Sequence, residues 1–276
     1  MYKEQVFSQF LHFFFSNHMS IAEIKFAGIR PGFDKVFLLR LEGESLHLDG
    51  VGLTDEALRD ITDICVVACG SAYHVGMVAQ YVIEDLAKVP VRVELASEFR
   101  YRKPLLKEQE LVVIISQSGE TADSLAALRE AKEMGAQTLA IVNVVGSSIA
   151  READHVFYTM AGPEIAVATT KAYSAQLIAI YCLAVQMAKV RAQITEEYYS
   201  ELVREMTLLP GKINKILEDT GRLQWLAARQ TNVKVYDDRF RKCNRCGKVT
   251  LFAALFYPLL PNECAYRKTF RLWDKK

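Results

Sequence analysis

The segment Ile114-Ile115-Ser116-Gln117-Ser118-Gly119-Glu120-Thr121 concentrates more chemistry than any other part of the chain. An apolar run, Leu111 to Ile115, leads straight into a turn bearing three hydroxyls and an amide, and apolar residues at helical spacing, Leu125, Ala126 and Leu128, follow it. Strand, polar turn and helix in that order place Ser116, Ser118 and Thr121 at a helix N-terminus. There, several backbone N–H groups lack intrahelical partners and the dipole favours an anion. No Lys or Arg stands in the turn, so hydroxyls and amides would have to hold the charge. A plain helix cap is the alternative, but capping needs only one hydroxyl. Two further hydroxyl-bearing junctions, at Ser71 and at Thr169-Thr170, favour a cradle for the phosphate of a small molecule.

Such a cradle needs a scaffold. Buried-strand runs at Cys65–Ala68, Val89–Leu95, Leu111–Ile115, Thr138–Val142 and His155–Thr159 alternate with helical stretches at Thr54–Thr62, Tyr73–Leu86, Asp123–Met134 and Lys171–Val190. Gly135 stands where a helix C-terminus favours glycine. Strands apolar on both faces and separated by helices predict an α/β fold with a parallel sheet of about five strands, flanked by helices. Ligands bind at the carboxyl ends of strands in such sheets, and all three hydroxyl-bearing turns fall there. Leu46–Val51 reads as a short extended piece. Pro210-Gly211 reads as a break between helices at Glu196–Leu208 and Ile213–Ala228. The chain thus divides into an unassigned segment 1–45, a folded domain 46–228 and an atypical tail 229–276.

Composition narrows the class. The 276 residues are 51% hydrophobic and 24% charged, with a net charge of +1, which argues for a globular protein and against a general affinity for nucleic acid or membrane surfaces. The balance is uneven: from Lys234 onward there are 11 Lys+Arg against 4 Asp+Glu. Six cysteines in this length are no disulfide scaffold, and Cys65, Cys69 and Cys182 lie in apolar runs; a reducing cytoplasm is the expected compartment. Val6–Phe15 lacks the flanking charge and cleavage site of a signal peptide. Ala172–Val190, interrupted by Ser174, Gln176, Gln186 and Lys189, suits a core helix better than a membrane span.

Nucleotide and hydrolase motifs are absent: there is no G-x-x-x-x-G-K-[ST], no G-x-G-x-x-G after Val66-Val67-Ala68, no G-x-S-x-G and no H-E-x-x-H. What is present resembles one family. Val67-Ala68-Cys69-Gly70-Ser71-Ala72-Tyr73, Glu94-Leu95-Ala96-Ser97-Glu98-Phe99-Arg100-Tyr101-Arg102, Ser116-Gln117-Ser118-Gly119-Glu120-Thr121-Ala122-Asp123, Val142-Asn143-Val144-Val145-Gly146-Ser147-Ser148 and Glu164-Ile165-Ala166-Val167-Ala168-Thr169-Thr170-Lys171-Ala172 are similar to motifs of the glutamine–fructose-6-phosphate transaminases (isomerising), the glucosamine-6-phosphate synthases. The likeness covers their first SIS (sugar isomerase) domain, from about Leu48 to about Leu226.

That resemblance implies a flavodoxin-like SIS domain that binds a hexose 6-phosphate, with no metal or organic cofactor and with pairing into a homodimer. By similarity Ser116, Gln117, Ser118 and Thr121 would hold the phosphate, and Ser71, Val167 and Thr169 would line the sugar. The family often has Thr-Ser where this chain has Ser71-Ala72, which removes a hydroxyl. Its glutaminase domain, its second SIS domain with the catalytic Glu and His, and its sugar-reactive lysine segment have no counterpart in these residues. The implied activity is phosphosugar binding without complete catalysis. A sugar-phosphate-sensing module and a small free-standing phosphosugar isomerase are the alternatives, the latter needing a base from His74, Glu98 or Glu120. Lys171 opens a helix, where a cation is disfavoured, and so hints at an anionic neighbour. The tail with Cys243-x-x-Cys246 reads as a truncated or frame-shifted remnant of a second SIS domain. As a zinc site it has half the ligands required, with only Cys264 downstream.

Overall fold

The computed structural model describes residues 41–217, apart from 43–44, 103, 108 and 163–170. The expectations for the N-terminal segment before residue 41, for Val167 and Thr169, and for the basic tail with its cysteine pair lie outside these described residues.

A two-stranded antiparallel ribbon, β1 (Leu41–Glu42) and β2 (Ser45–Leu46), precedes a 3-10 turn at Asp49–Val51. The extended piece expected over Leu46–Val51 is therefore only its first residue; the Val51 amide donates to the Leu48 carbonyl at 2.8 Å and curls the rest. Helix α1 (Asp55–Asp60) starts under a Thr54 cap, whose hydroxyl accepts the Ala57 amide at 3.2 Å. Then follow β3 (Asp63–Ala68), α2 (Ser71–Ala87), β4 (Val91–Leu95), α3 (Ala96–Arg102), β5 (Glu110–Ser116), α4 (Ala122–Glu133), β6 (Gln137–Val142), α5 (Ser148–Glu152), β7 (His155–Tyr158), α6 (Lys171–Val190) and α7 (Glu196–Leu217).

The five long strands form one parallel sheet in the order β4-β3-β5-β6-β7. This is the flavodoxin-like arrangement, in which the first strand in sequence lies second in space. Alternation along the strands sorts the core into two layers. Ile64, Val66, Leu111, Val113, Leu139 and Phe157 face α1, α2, α6 and α7. Cys65, Val67, Val112, Ile114, Ala140 and Val142 face α3, α4 and α5. Both faces are covered, so the strands can be apolar throughout.

Helix α6 is the spine of the first layer. It is long and apolar enough to cross a membrane, but 89% of that window is buried inside the fold, where it packs against α2 and α1. Helix α7 continues through Pro210, contrary to the break expected there. A proline forfeits one helix hydrogen bond, and here Tyr199, Leu202, Val203, Met206 and Leu209 bury the face that leads into it. The Tyr199 hydroxyl also accepts the Leu46 amide at 2.7 Å, tying the ribbon to the helix.

Helix α2 sits close on the sheet because Gly76 lacks a side chain. A Cβ there would stand 2.8 Å from Val93 Cγ1 and 2.9 Å from Val66 Cγ1. Valine methyls cannot swing away as a long chain can, so Gly76→Ala should destabilise the domain by about 1–3 kcal/mol, read as a lower midpoint in urea denaturation. An unchanged midpoint would show that the helix–sheet spacing yields.

Candidate functional site

The sheet order reverses between β3 and β5. From β3 the chain turns outward to β4, then returns to β5 and builds the other way through β6 and β7. The turns leaving two adjacent strands diverge there, and sheets of this kind bind ligands in the crevice at that point. The two turns bordering it are Cys69-Gly70 into α2 and Gln117–Thr121 into α4. They meet across it: the Ser124 hydroxyl, in the first turn of α4, donates to the Cys69 sulfur at 3.8 Å.

Both helices start without a side-chain cap. The α2 N-cap is Gly70, at φ 58° and ψ −127°, a conformation only glycine adopts readily. Thr121 occupies the α4 N-cap and makes no capping bond. The capping explanation for the hydroxyl-rich turn therefore fails on geometry. Instead the hydroxyls fold the turn on itself. Ser116 Oγ accepts the Gly119 amide at 3.1 Å and lies 3.2 Å from Thr121 Oγ1, while Ser118 Oγ accepts the Glu120 amide at 3.2 Å. Ser116 is buried, and Gln117, Ser118 and Thr121 are half-buried, as is Ser71 on the α2 side. Five of the seven expected site residues thus stand at or just beyond the carboxyl ends of β3 and β5; Val167 and Thr169 lie outside the described residues.

A second turn clamps the first from behind. The Asn143 amide donates to the Gln117 carbonyl at 3.1 Å, and the Ile149 amide to the Gly119 carbonyl at 3.0 Å. The Ser148 amide donates to Glu120 Oε1 at 2.7 Å. That bond is the main cause holding the Glu120 carboxyl below the usual range, so Glu120 is an ionised brace at neutral pH. Gly119 lies so close to Ser147 that a Cβ would stand 2.0 Å from its Oγ, and its φ is +66°. Sequence patterning gave no sign of this approach, which joins residues in the turns after two different strands.

The remaining candidates do other work. Arg100, on α3, pairs with Asp123 at 2.8 Å, which sets one cation beside the α4 N-terminus. His74 packs edge-on to Tyr73, ring centroids 5.7 Å apart. Glu98 lines a shallow depression of about 450 Å³ outside β4, with Tyr73, Arg92, Glu94 and Arg102, and no residue of the hydroxyl-rich turn reaches it. Among the described residues no group of three or more His, Cys, Asp or Glu could hold a metal ion. Burial pushes the Cys65 thiol up to about 12, as suits an inert core cysteine.

Comparison with known proteins converges on this region. Residues 57–186 match the family model described as SIS domain. The glutamine–fructose-6-phosphate aminotransferase [isomerizing] of Clostridium tetani is 51% identical over 187 residues, which is 68% of this chain and 31% of that enzyme. The Caldanaerobacter subterraneus enzyme of the same name is 51% identical over 194 residues, 70% of this chain and 32% of its own length. The chain therefore spans about a third of the length of these curated relatives. Among solved structures, the C-terminal domain of glucosamine-fructose-6-phosphate aminotransferase from Francisella tularensis superposes with a TM-score of 0.63 at 38% identity, covering 66% of this chain and 51% of that one.

The close approach at Gly119 gives a test of the clamp. Gly119→Ala forces a methyl into Ser147 and holds alanine at positive φ, and should cost about 1–3 kcal/mol of stability. Adding Ser147→Gly removes the clash but not the backbone strain, so the double variant should melt between Gly119→Ala and the parent. Equal melting of the two variants would show that the contact with Ser147 contributes nothing.

Proposed function

We propose that this chain, which carries an SIS domain over residues 57–186, binds a hexose 6-phosphate in the crevice between β3 and β5. The observation that carries this reading is the α4 N-terminus: a helix start without a side-chain cap, edged by Ser116, Ser118 and Thr121. Amides at such a terminus are oriented donors to a phosphate. The absence of a cation in the turn suits a monoester held by many neutral donors. Gln117 and Ser118, half-exposed on the turn, would complete the ring of donors. Ser71 at the head of α2 would meet the sugar end, and Val167 and Thr169 are assigned to it by resemblance.

Relatives of which this chain matches about a third are named as glutamine–fructose-6-phosphate aminotransferases. The ligand class proposed is therefore fructose 6-phosphate and its amino-sugar product, glucosamine 6-phosphate. Moving a proton between two sugar carbons needs a positioned acid and base. The described residues support binding more than turnover. Glu120 is engaged by Ser148, His74 is packed against Tyr73, and Glu98 faces the separate depression. We assign this chain the phosphosugar-holding part of the isomerase, without its acid and base, working as a homodimer in the cytoplasm. The domain would be residues 46–228, followed by the atypical basic stretch 229–276.

Calorimetric titration with fructose 6-phosphate should give saturable binding. Ser118→Ala should weaken it about tenfold or more, the cost of one hydrogen bond to a charged group. The chain should form no glucosamine 6-phosphate from fructose 6-phosphate and ammonium. Product formation would refute the division of labour, and absence of binding by folded protein would refute the site.

A further inference from the structure

Two carboxylates stand at the start of α4. Glu120 immediately precedes the Thr121 N-cap, and Asp123 lies in the first helical turn. Acids there suit the dipole of an empty helix start, but they occupy the field that a phosphate would use, and they repel it. The turn has no Lys or Arg of its own. Receiving a dianion at this terminus therefore requires the resident charges to be drawn aside or cancelled.

Helix α4 packs against both α3 and α5, and each neighbour takes hold of one carboxylate. Ser148, at the head of α5, donates its amide to Glu120 Oε1 at 2.7 Å. Arg100, on α3, donates from Nη1 to Asp123 Oδ1 at 2.8 Å. The two grips differ in kind. An amide orients a carboxylate and leaves its charge in place, whereas a guanidinium also cancels it. Helix α3 is held in position by Ala96 and Phe99, fully buried in the layer that contains Ala127 and Leu128 of α4. Arg100 and Asp123 meet at its solvent edge, 33% and 41% exposed. An ion pair that open contributes little to stability, so support of the fold does not account for its place at the α4 start.

We infer that Arg100 is a positioning residue for the phosphate: it holds and neutralises Asp123 without touching the ligand, and so lets the α4 start accept a dianion. The inference rests on the sugar-phosphate reading above. Three roles for the pair make different predictions. A screen acting through Asp123 becomes dispensable once Asp123 is uncharged. A guanidinium bonded to the phosphate itself is needed whatever the charge at Asp123. A purely structural pair is lost equally when either partner is removed.

The test is a double-variant cycle on the full chain, with Arg100→Gln, Asp123→Asn and the two combined, each shown to be folded by its melting transition. Calorimetric titration uses fructose 6-phosphate and inorganic phosphate at neutral pH, at low and high salt. Arg100→Gln leaves a bare carboxylate within one helical turn of a dianion, about 5 Å of rise. It should weaken fructose 6-phosphate about tenfold at low salt and less at high salt. Asp123→Asn should bind at least as tightly as the parent, and the combined variant should recover to within about threefold of it. A combined variant as weak as Arg100→Gln would overturn the screening role in favour of direct contact. Equal weakening by both single variants would reduce the pair to a structural tie, and unchanged affinity in Arg100→Gln would remove its role; each of these leaves the sugar-phosphate reading standing. If the folded parent binds neither ligand, that reading and this inference fall together.

Discussion

The approach of Gly119 to Ser147 fixes the geometry on which the rim of this sheet depends. With no Cβ at Gly119 the turn after β5 nests against the turn after β6, and three backbone donors, from Asn143, Ser148 and Ile149, reach across the gap. Each bond is ordinary in strength, but together they hold a polar, half-exposed loop in one conformation before any ligand arrives. Preorganised donors cost no rearrangement on binding. The Ser118 hydroxyl accepts the Glu120 amide, so its own hydrogen is left to turn toward an incoming acceptor, while Ser116 and Thr121 share one hydrogen bond between their hydroxyls.

Beneath the rim, the sheet and α6 make the platform rigid. The strands that deliver the two facing turns, β3 and β5, are central and adjacent, with Ala68 opposite Ile115 at their carboxyl ends. Their side chains are buried in both layers, and Gly76 lets α2 close down on β3 and β4. Charge near the crevice is balanced rather than strongly positive. Asp123 is paired with Arg100, and Glu120 is committed to the Ser148 amide. An anion held there would rely on oriented amides and hydroxyls, which discriminate by geometry more than by attraction.

Much of this was legible in the chain. All five parallel strands lie within two residues of where apolar runs place them, because buried strands have a strong and local signal. Helix α4 and its glycine stop were equally plain. Helices α3 and α5, at seven and five residues, are too short to show a period. The continuation of α7 through Pro210 came from packing that outweighed a local rule. At the site, the hydroxyl-rich turn identified itself, whereas its support did not. Gly119 against Ser147, Arg100 with Asp123 and Asn143 across two turns are all long-range pairings, and residue types alone carry no register for them. The resemblance supplied the ligand class, which neither periodicity nor spacing contains.

The central claim is that an uncapped helix start at Thr121 receives the phosphate of a hexose 6-phosphate. Backbone-amide NMR of the chain titrated with fructose 6-phosphate addresses it residue by residue. The account predicts saturable shifts largest at Ser118 to Ser124, with smaller ones at Ser71 and Ala72. Shifts absent there, or concentrated instead around Arg92, Glu94 and Arg102, would contradict it.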